Sequence, residues 1–166
     1  MDWIRAHGKE DGVIYFADDD NSYDVRIFEE IRQTRRVSVF PVGLILKYGV
    51  SSPIVRAGKV VGFYDAFQAG RQFAMDMAGF AVSVALFKSR PQATFPAKVS
   101  YLEEGFMKSL DIGLGDLEPR AEECTRVWVW HTRTERAATP KLEHLNGTED
   151  WSDTNIRTLY RHLHAK

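Results

Sequence analysis

Three consecutive carboxylates, Asp18, Asp19 and Asp20, follow an apolar run at residues 13–16. Carboxylates this close together repel one another, and a bound cation relieves the repulsion. Hard divalent cations such as Mg²⁺ and Mn²⁺ prefer oxygen ligands and often share them with substrate phosphates. The triplet therefore indicates a metal–phosphate site, although its residue types are equally typical of a solvated turn.

The residues on either side of the triplet predict the elements that would position it. Residues 13–16 are β-branched or aromatic without alternation, which predicts a strand buried on both faces, as in parallel α/β sheets. Ligands of such sheets bind beyond the carboxyl ends of the strands. Asn21 or Ser22 can cap a helix over residues 23–32. Its apolar residues Ile27, Phe28 and Ile31 would share one face.

Three other carboxylates could take part in the chemistry. Glu103 and Glu104 begin a predicted helix over residues 101–110, where the helix dipole alone would favour them. Either one could remove a proton from a hydroxyl group if it were positioned and partly desolvated. Asp76 lies in an apolar stretch, where an unpaired carboxylate would be costly. Its structural alternatives are to cap a helix or to pair with Arg71.

His131 and Arg133 flank Thr132 directly after a predicted strand over residues 126–130. Arg can form two parallel hydrogen bonds to phosphate oxygens, and His can donate to them. Standing alone, either residue type is more often structural or solvated. Together beyond a strand end, they favour an anion site that could stabilise a departing diphosphate.

Composition bounds the class of protein. The 166 residues are 44% hydrophobic with a formal net charge of −1, which predicts one globular domain. This balance gives no footprint for nucleic acid or for an anionic membrane surface. The single cysteine, Cys124, excludes an internal disulfide. No apolar run of about 18 residues and no signal peptide occur, so the residues alone indicate a cytosolic protein.

Several segments predict irregular structure. Pro41 interrupts the apolar residues 37–46 and predicts an irregular or edge strand. Residues 48–53 predict a loop, and residues 137–166 predict a polar tail that is extended or partly disordered. The tail contains an N-glycosylation sequon at Asn146.

Five blocks carry a family resemblance: residues 12–21, 58–63, 73–82, 116–121 and 124–135. In this order they resemble the animal β-1,3-glucuronyltransferases of glycosyltransferase family 43, whose DxD-type metal motif corresponds to the acidic triplet. The segments Phe28-Glu-Glu-Ile and Arg35-Arg-Val-Ser-Val-Phe-Pro-Val agree as well. The resemblance extends over residues 12–136.

The resemblance implies an α/β fold of the GT-A type, a Rossmann-like nucleotide-diphospho-sugar transferase fold, with its N-terminal strands missing from this chain. Residues 1–46 would end the donor-binding half, and residues 47–136 would form the acceptor-binding half with the catalytic base. Residues 137–166 would be the polar tail. Members of the family resemble Golgi membrane proteins with a lumenal catalytic domain, so an anchor outside this chain and a homodimer are expected.

The resemblance also implies a reaction and roles for residues. The reaction is inverting transfer of glucuronic acid from UDP-glucuronate to the 3-hydroxyl of a terminal galactose, in glycosaminoglycan-linkage or glycoprotein glycan synthesis. Mn²⁺ would be held by Asp20 and the diphosphate, and Glu103 rather than Glu104 would be the base. The other implied donor-binding residues are Asp18, Asp19, His131, Thr132 and Arg133. The implied acceptor-binding residues are Asn21, Phe67, Arg71 and Asp76.

Two departures from the family pattern leave alternatives open. The residues Glu104-Gly105 replace two small hydroxyl residues, and the loop at residues 49–53 lacks an acceptor-binding Glu. A xylosyl-transferring relative is therefore one alternative. Another is a truncated, non-catalytic fragment, since the first strands that would hold uracil have no counterpart. On that view the isolated chain would bind UDP weakly and self-associate.

Overall fold

Two mixed β-sheets organise this computed structural model, which describes residues 1–45, 47–132, 141–146 and 149–164. The strands are β1 (Val13–Tyr15), β2 (Ser22–Tyr23), β3 (Val37–Val39), β4 (Val42–Gly43), β5 (Val50–Arg56), β6 (Lys59–Tyr64), β7 (Phe80–Ser83), β8 (Leu117–Pro119) and β9 (Val129–Trp130). The helices are α1 (Asp2–His7), α2 (Arg26–Ile31), α3 (Val84–Lys88), α4 (Leu102–Ser109), α5 (Ala121–Cys124) and α6 (Asn155–His164). The predicted α/β class is confirmed at this level.

The first sheet has the strand order β1-β7-β3-β8. Both β1 and β3 run antiparallel to β7, and β3 runs parallel to β8. The prediction of a parallel strand buried on both faces is wrong for β1, where only Ile14 is buried. Among the described residues β1 pairs with β7 alone, and this edge position leaves Val13 and Tyr15 half-buried.

The second sheet has the strand order β2-β9-β4-β5-β6. Its strand β2 occupies residues 22–23, where the sequence predicted the first turn of a helix. Helix α2 begins only at Arg26, and Phe28 remains exposed while Ile27 and Ile31 are buried. The cause is tertiary, because Ser22 and Tyr23 pair with Trp130 and Val129 of β9.

The structure agrees only in part with the break predicted at Pro41 and with the loop predicted up to Pro53. The break at Pro41 is confirmed, since β3 ends at Val39 and β4 begins at Val42. Both strands are interior in their sheets, so an edge strand is the wrong alternative here. The loop predicted at residues 48–53 gives way to β5 from Val50 onward, because β4 and β6 pair with it on its two sides.

The C-terminal part of the chain packs onto the second sheet through α6. The prediction of an extended or disordered tail is wrong for residues 155–164, because Ile156, Leu159 and Tyr160 are completely buried. The buried Asn155 amide donates to the carbonyls of Pro53 and Cys124 and accepts from the Val55 amide. An amphipathic face in an otherwise polar segment is enough to anchor this helix.

Helix α6 also supports α5, whose four residues all have positive φ angles between 53° and 61°. Left-handed backbone costs non-glycine residues roughly 1–2 kcal/mol each, so such a turn needs support from its surroundings. Asn155 bonds the Cys124 carbonyl at 2.9 Å, and His162 Nδ1 lies 2.8 Å from the Thr125 carbonyl oxygen. The turn leads directly into the segment that ends in β9.

An aromatic cluster joins the first sheet to α4. Phe16, which follows β1, lies with its ring 5.4 Å from Phe80 of β7 and 5.5 Å from Phe106 of α4. Phe95 stacks on Phe106 at 4.4 Å. The cluster therefore ties helix α4 to the end of β1, two residues before the acidic triplet. None of the described helices is long and apolar enough to cross a membrane.

Candidate active site

The β2–β9 ladder brings the acidic triplet and His131–Thr132 together. Thr132 Oγ1 lies 3.0 Å from Ser22 Oγ and donates to the Asp20 carbonyl at 3.1 Å. His131 Nε2 lies 3.6 Å from Asp20 Oδ2. The backbone amide of His131 donates to Gly43 of β4, which fixes this corner against the sheet. Two segments more than 100 positions apart thus form one site.

Asp76 joins the same site from the loop that precedes β7. One ligand atom each of Asp18, Asp76 and His131 lies within 4.8 Å of the others. Asp76 stands at the start of a 3₁₀ turn over Met77–Gly79 and accepts from the Ala78 amide at 3.0 Å. Of its two structural alternatives, capping is therefore the observed one. The described ion pairs of Arg71 are with Asp65 and Glu103.

The electrostatics of this cluster favour a bound cation. Burial raises the pKa of Asp76 to about 6, and repulsion from Asp18 and Glu103 adds to the shift. Burial and repulsion from Asp20 likewise raise the pKa of Asp18. A divalent cation would offset both effects, and two carboxylates with one imidazole form a suitable donor set. Asp20, whose side chain is 50% exposed, lies at the open side of the cluster.

The loop over residues 65–76 and helix α4 form the other part of the site. We call this loop the acceptor loop, after the role expected of Phe67, Arg71 and Asp76. The buried Arg71 guanidinium lies 3.6 Å from Asp65 Oδ1, 4.0 Å from Glu103 Oε2 and 4.7 Å from the centre of the Phe67 ring. Phe67 is 41% exposed. An open aromatic face beside an ion pair is a typical surface for binding a sugar ring.

Glu103 and Glu104 are neighbours on α4 with different environments. The Glu103 side chain is 17% exposed, and burial raises its pKa against the opposing charge of Arg71. The carboxylate of Glu104 is buried and accepts from the Phe73 and Gln72 amides. Burial works against its charged form, but Lys108 and these amides outweigh it and lower its pKa. A Cβ at Gly105 would collide with Pro96, which accounts for the glycine after the pair.

The structure accounts for the other predicted site residues as follows. Asp19 is exposed beside the cluster. Asn21 is half-buried, and its amide atoms have no hydrogen bond of normal geometry with the described residues. Arg133 lies outside the described residues. Of the sequon, only Asn146 lies within the described part of the chain.

Two contributors to the site, Tyr23 and Asp65, escaped the sequence analysis, and a third, Glu104, was considered there only as a base. Tyr23 donates its hydroxyl to the Asp18 carbonyl at 2.7 Å and so holds the backbone of the triplet. Asp65 is buried against Arg71, and Glu104 binds the acceptor loop. The only sequence signal for Asp65 was a carboxylate directly after an apolar strand, the same signal that marked the triplet. Nothing local to Glu104 indicates its partners, which are amides 31 and 32 positions earlier. The position of Tyr23 depends on its pairing with Val129 of β9.

The raised pKa of Asp76 predicts that the cation-free protein gains stability from Asp76→Asn. Because the folded-state pKa of about 6 exceeds the ordinary aspartate pKa of 3.8, the ionised form is disfavoured in the folded state. Wild-type stability therefore falls as pH rises through this window, by at most about 3 kcal/mol. Asn keeps the acceptor for the Ala78 amide. Urea unfolding in chelator should show a more stable variant at pH 7.5 and no difference at pH 3.5.

Asp24→Asn provides a control of opposite sign. Hydrogen bonds from the Arg26 side chain and backbone lower the pKa of Asp24 to about 2, so its ionised form is favoured in the folded state. This variant should be less stable than the wild type at pH 7.5. A less stable Asp76→Asn variant at that pH would contradict the strained-carboxylate description of the cluster.

Fold and site together define a class of protein. A mixed α/β fold with carboxylates and an imidazole converging beyond the strand ends is typical of enzymes that bind cation–phosphate groups. The sequence model of glycosyltransferase family 43 matches residues 1–135, and the chain belongs to this family. The resemblance drawn from the five sequence blocks is thereby confirmed.

Individual relatives agree with this assignment. The chain is 51% identical over 134 residues to galactosylgalactosylxylosylprotein 3-beta-glucuronosyltransferase S of Drosophila melanogaster. The matched region covers 81% of this chain and 33% of that protein. The P protein of the same organism is 46% identical over 98% of this chain and 33% of its own length. The Homo sapiens protein 3 is 44% identical over 94% of this chain and 50% of its own length. The chain thus spans a third to a half of these relatives.

Proposed function

We propose that this chain forms part of an inverting β-1,3-glucuronosyltransferase with a GT-A-type fold. The observation that carries the proposal is one site in which the cluster of Asp18, Asp76 and His131 lies close enough to Glu103 for their carboxylates to repel one another. With a divalent cation at the carboxylates, an anionic donor suits the triplet with His131 and Thr132, and a hydroxyl acceptor suits Glu103 with Arg71. The names of the related proteins, which are 3-beta-glucuronosyltransferases, support glucuronate as the transferred sugar.

On the donor side, the proposal assigns UDP-glucuronate to the carboxylate and imidazole cluster. Mn²⁺ held by Asp20 would supply Lewis-acid assistance to the departing diphosphate. Asp18 and Asp19 would orient the ribose and glucuronate hydroxyls. His131 would donate a hydrogen bond to the diphosphate, as would Arg133, and Thr132 would support the donor side through the hydrogen bond from its hydroxyl to the Asp20 carbonyl.

On the acceptor side, Glu103 is proposed to take the proton from the galactose 3-hydroxyl. As that O–H bond breaks, the oxygen forms a bond to the anomeric carbon, and the bond from that carbon to the diphosphate oxygen breaks. UDP departs with the bonding electrons, and Glu103 holds the proton. One carboxylate suffices, because inversion requires no covalent intermediate. The raised pKa of Glu103 makes it a better base than an exposed carboxylate.

The acceptor sugar would lie on the acceptor loop. Phe67 offers an exposed ring for stacking, while Arg71, Asp76 and Asn21 offer donors and acceptors for hydroxyl groups. A Golgi-lumenal location, a membrane anchor outside this chain and a homodimer complete the proposal.

An assay that compares two donors in separate reactions tests the proposed function. The chain is incubated with Mn²⁺, a galactose-terminated disaccharide, and either UDP-glucuronate or UDP-xylose, and the products are separated by mass. Glucuronate should be transferred and xylose should not. Transfer of xylose alone would favour the xylosyl-transferring alternative. Absence of any product, with UDP binding also absent by calorimetry, would favour the non-catalytic alternative.

A further inference from the structure

Glu104 lies beside the proposed base but contacts a different part of the molecule. Its carboxylate accepts from the Phe73 amide at 2.7 Å and from the Gln72 amide at 3.3 Å. Lys108 Nζ, one helical turn further along α4, lies 2.6 Å from it. The residue is only 4% exposed. The acceptor loop is therefore bound to the same helix that carries Glu103.

This anchor fixes the loop next to Arg71. Phe73 is completely buried, so its amide would be left without a partner if the carboxylate were removed. Arg71 directly precedes Gln72, one of the two residues whose amides are held. The backbone position of Arg71 is thus set by a contact with α4.

Three side-chain contacts of Arg71 lie within the loop itself, and one reaches helix α4. Its guanidinium donates to the Phe67 carbonyl, pairs with Asp65 and lies over the Phe67 ring. These groups would move together with the loop. The 4.0 Å approach to Glu103 is different, because it spans two elements and depends on how the loop sits on α4.

We propose that Glu104 is a positioning residue, which holds the acceptor loop on α4 so that Arg71 and Phe67 face Glu103 at a fixed distance. This inference rests on the proposed function, because it assigns the anchored loop to acceptor binding. Loss of the anchor should weaken acceptor binding while the base stays in place on its helix.

The chain offers a matched control in Glu118. Its carboxylate also accepts from two successive amides, those of Arg35 and Arg36, and pairs with Arg120 at 2.6 Å. None of these partners belongs to the site. Replacing Glu118 by Gln removes the same kind of anchor elsewhere in the molecule.

The test compares Glu104→Gln with Glu118→Gln in the full chain, using a galactose-terminated disaccharide at saturating UDP-glucuronate and Mn²⁺. Both variants should lose thermal stability. Only Glu104→Gln should raise the acceptor KM, on the order of tenfold, with kcat little changed. An acceptor KM that stays the same in both variants would reduce Glu104 to a structural role and overturn the proposal.

Two further measurements keep the inference testable if Glu104→Gln fails to fold or if the wild type lacks activity. Lys108→Gln leaves the carboxylate but removes its cation, and should raise the acceptor KM about twofold. Amide exchange by NMR needs no turnover: weakening the anchor should speed exchange at Phe73 and shift the Arg71 side-chain resonance. If Glu104→Gln and Lys108→Gln leave the Phe73 exchange rate and the Arg71 resonance unchanged, the anchor is overturned. If these two quantities change but the wild type is inactive, the proposed function alone is overturned.

Discussion

Glu103→Gln should lower kcat by roughly 10²–10⁴-fold, the usual effect of removing a general base, if Glu103 has the proposed role. The amide has nearly the same shape and stays beside Arg71, but it cannot accept the proton from the acceptor hydroxyl. The affinity for UDP should be retained, because Glu103 lies on the acceptor side of the site. Single-turnover rates and UDP calorimetry on the same preparation separate the two effects.

The neighbouring glutamate provides the control for this prediction. Glu104→Gln should change kcat little, because that carboxylate is occupied by Phe73, Gln72 and Lys108. A large loss of kcat in Glu104→Gln together with a mild effect of Glu103→Gln would show that Glu104 is the base and that the assignment to Glu103 is wrong.

Asp20→Asn should lower the Mn²⁺-dependent turnover rate by about 10²-fold or more. Asn is neutral and a weaker ligand for a hard cation, and the negative charge at the open side of the cluster is removed with it. The fold should be intact, because the side chain of Asp20 is half-exposed and its described ion pair is with His131 within the site. Turnover measured across a Mn²⁺ titration gives the result.

Asp153→Asn is the matched control, since Asp153 is 59% exposed and pairs with Arg56 away from the site. It should leave the Mn²⁺ dependence unchanged. Near-normal turnover in Asp20→Asn at all Mn²⁺ concentrations would remove Asp20 from the metal role and direct attention to Asp18 and Asp76, which lie with His131.

Short-range patterns predicted the parts of the fold that local residues determine. Helix α4 lies within the predicted residues 101–110, and β6 covers the apolar residues 60–64. The convergence of the triplet with His131 and Thr132 was predicted as well, but through the family resemblance. Spacing alone could not place two segments more than 100 positions apart in one ladder.

Features that depend on distant partners were not predictable in the same way. Ser22 and Tyr23 carry a capping signal, yet pairing with β9 makes them a strand. Residues 155–164 are polar on average, but Ile156, Leu159, Tyr160 and Leu163 have the i, i+3, i+4, i+7 spacing of an amphipathic helix, a signal that the sequence analysis missed. Glu104 has no local signal for its role, because its partners are backbone amides 31 and 32 positions earlier.

The stereochemistry of the product tests the central claim most directly. Proton NMR of a reaction with UDP-glucuronate and a galactose-terminated disaccharide resolves the anomeric proton of the transferred sugar. Transfer with a single carboxylate at Glu103 predicts a β-linked glucuronate on the galactose 3-oxygen, inverted from the α-linkage of the donor. An α-linked product would require a second displacement and would contradict the account.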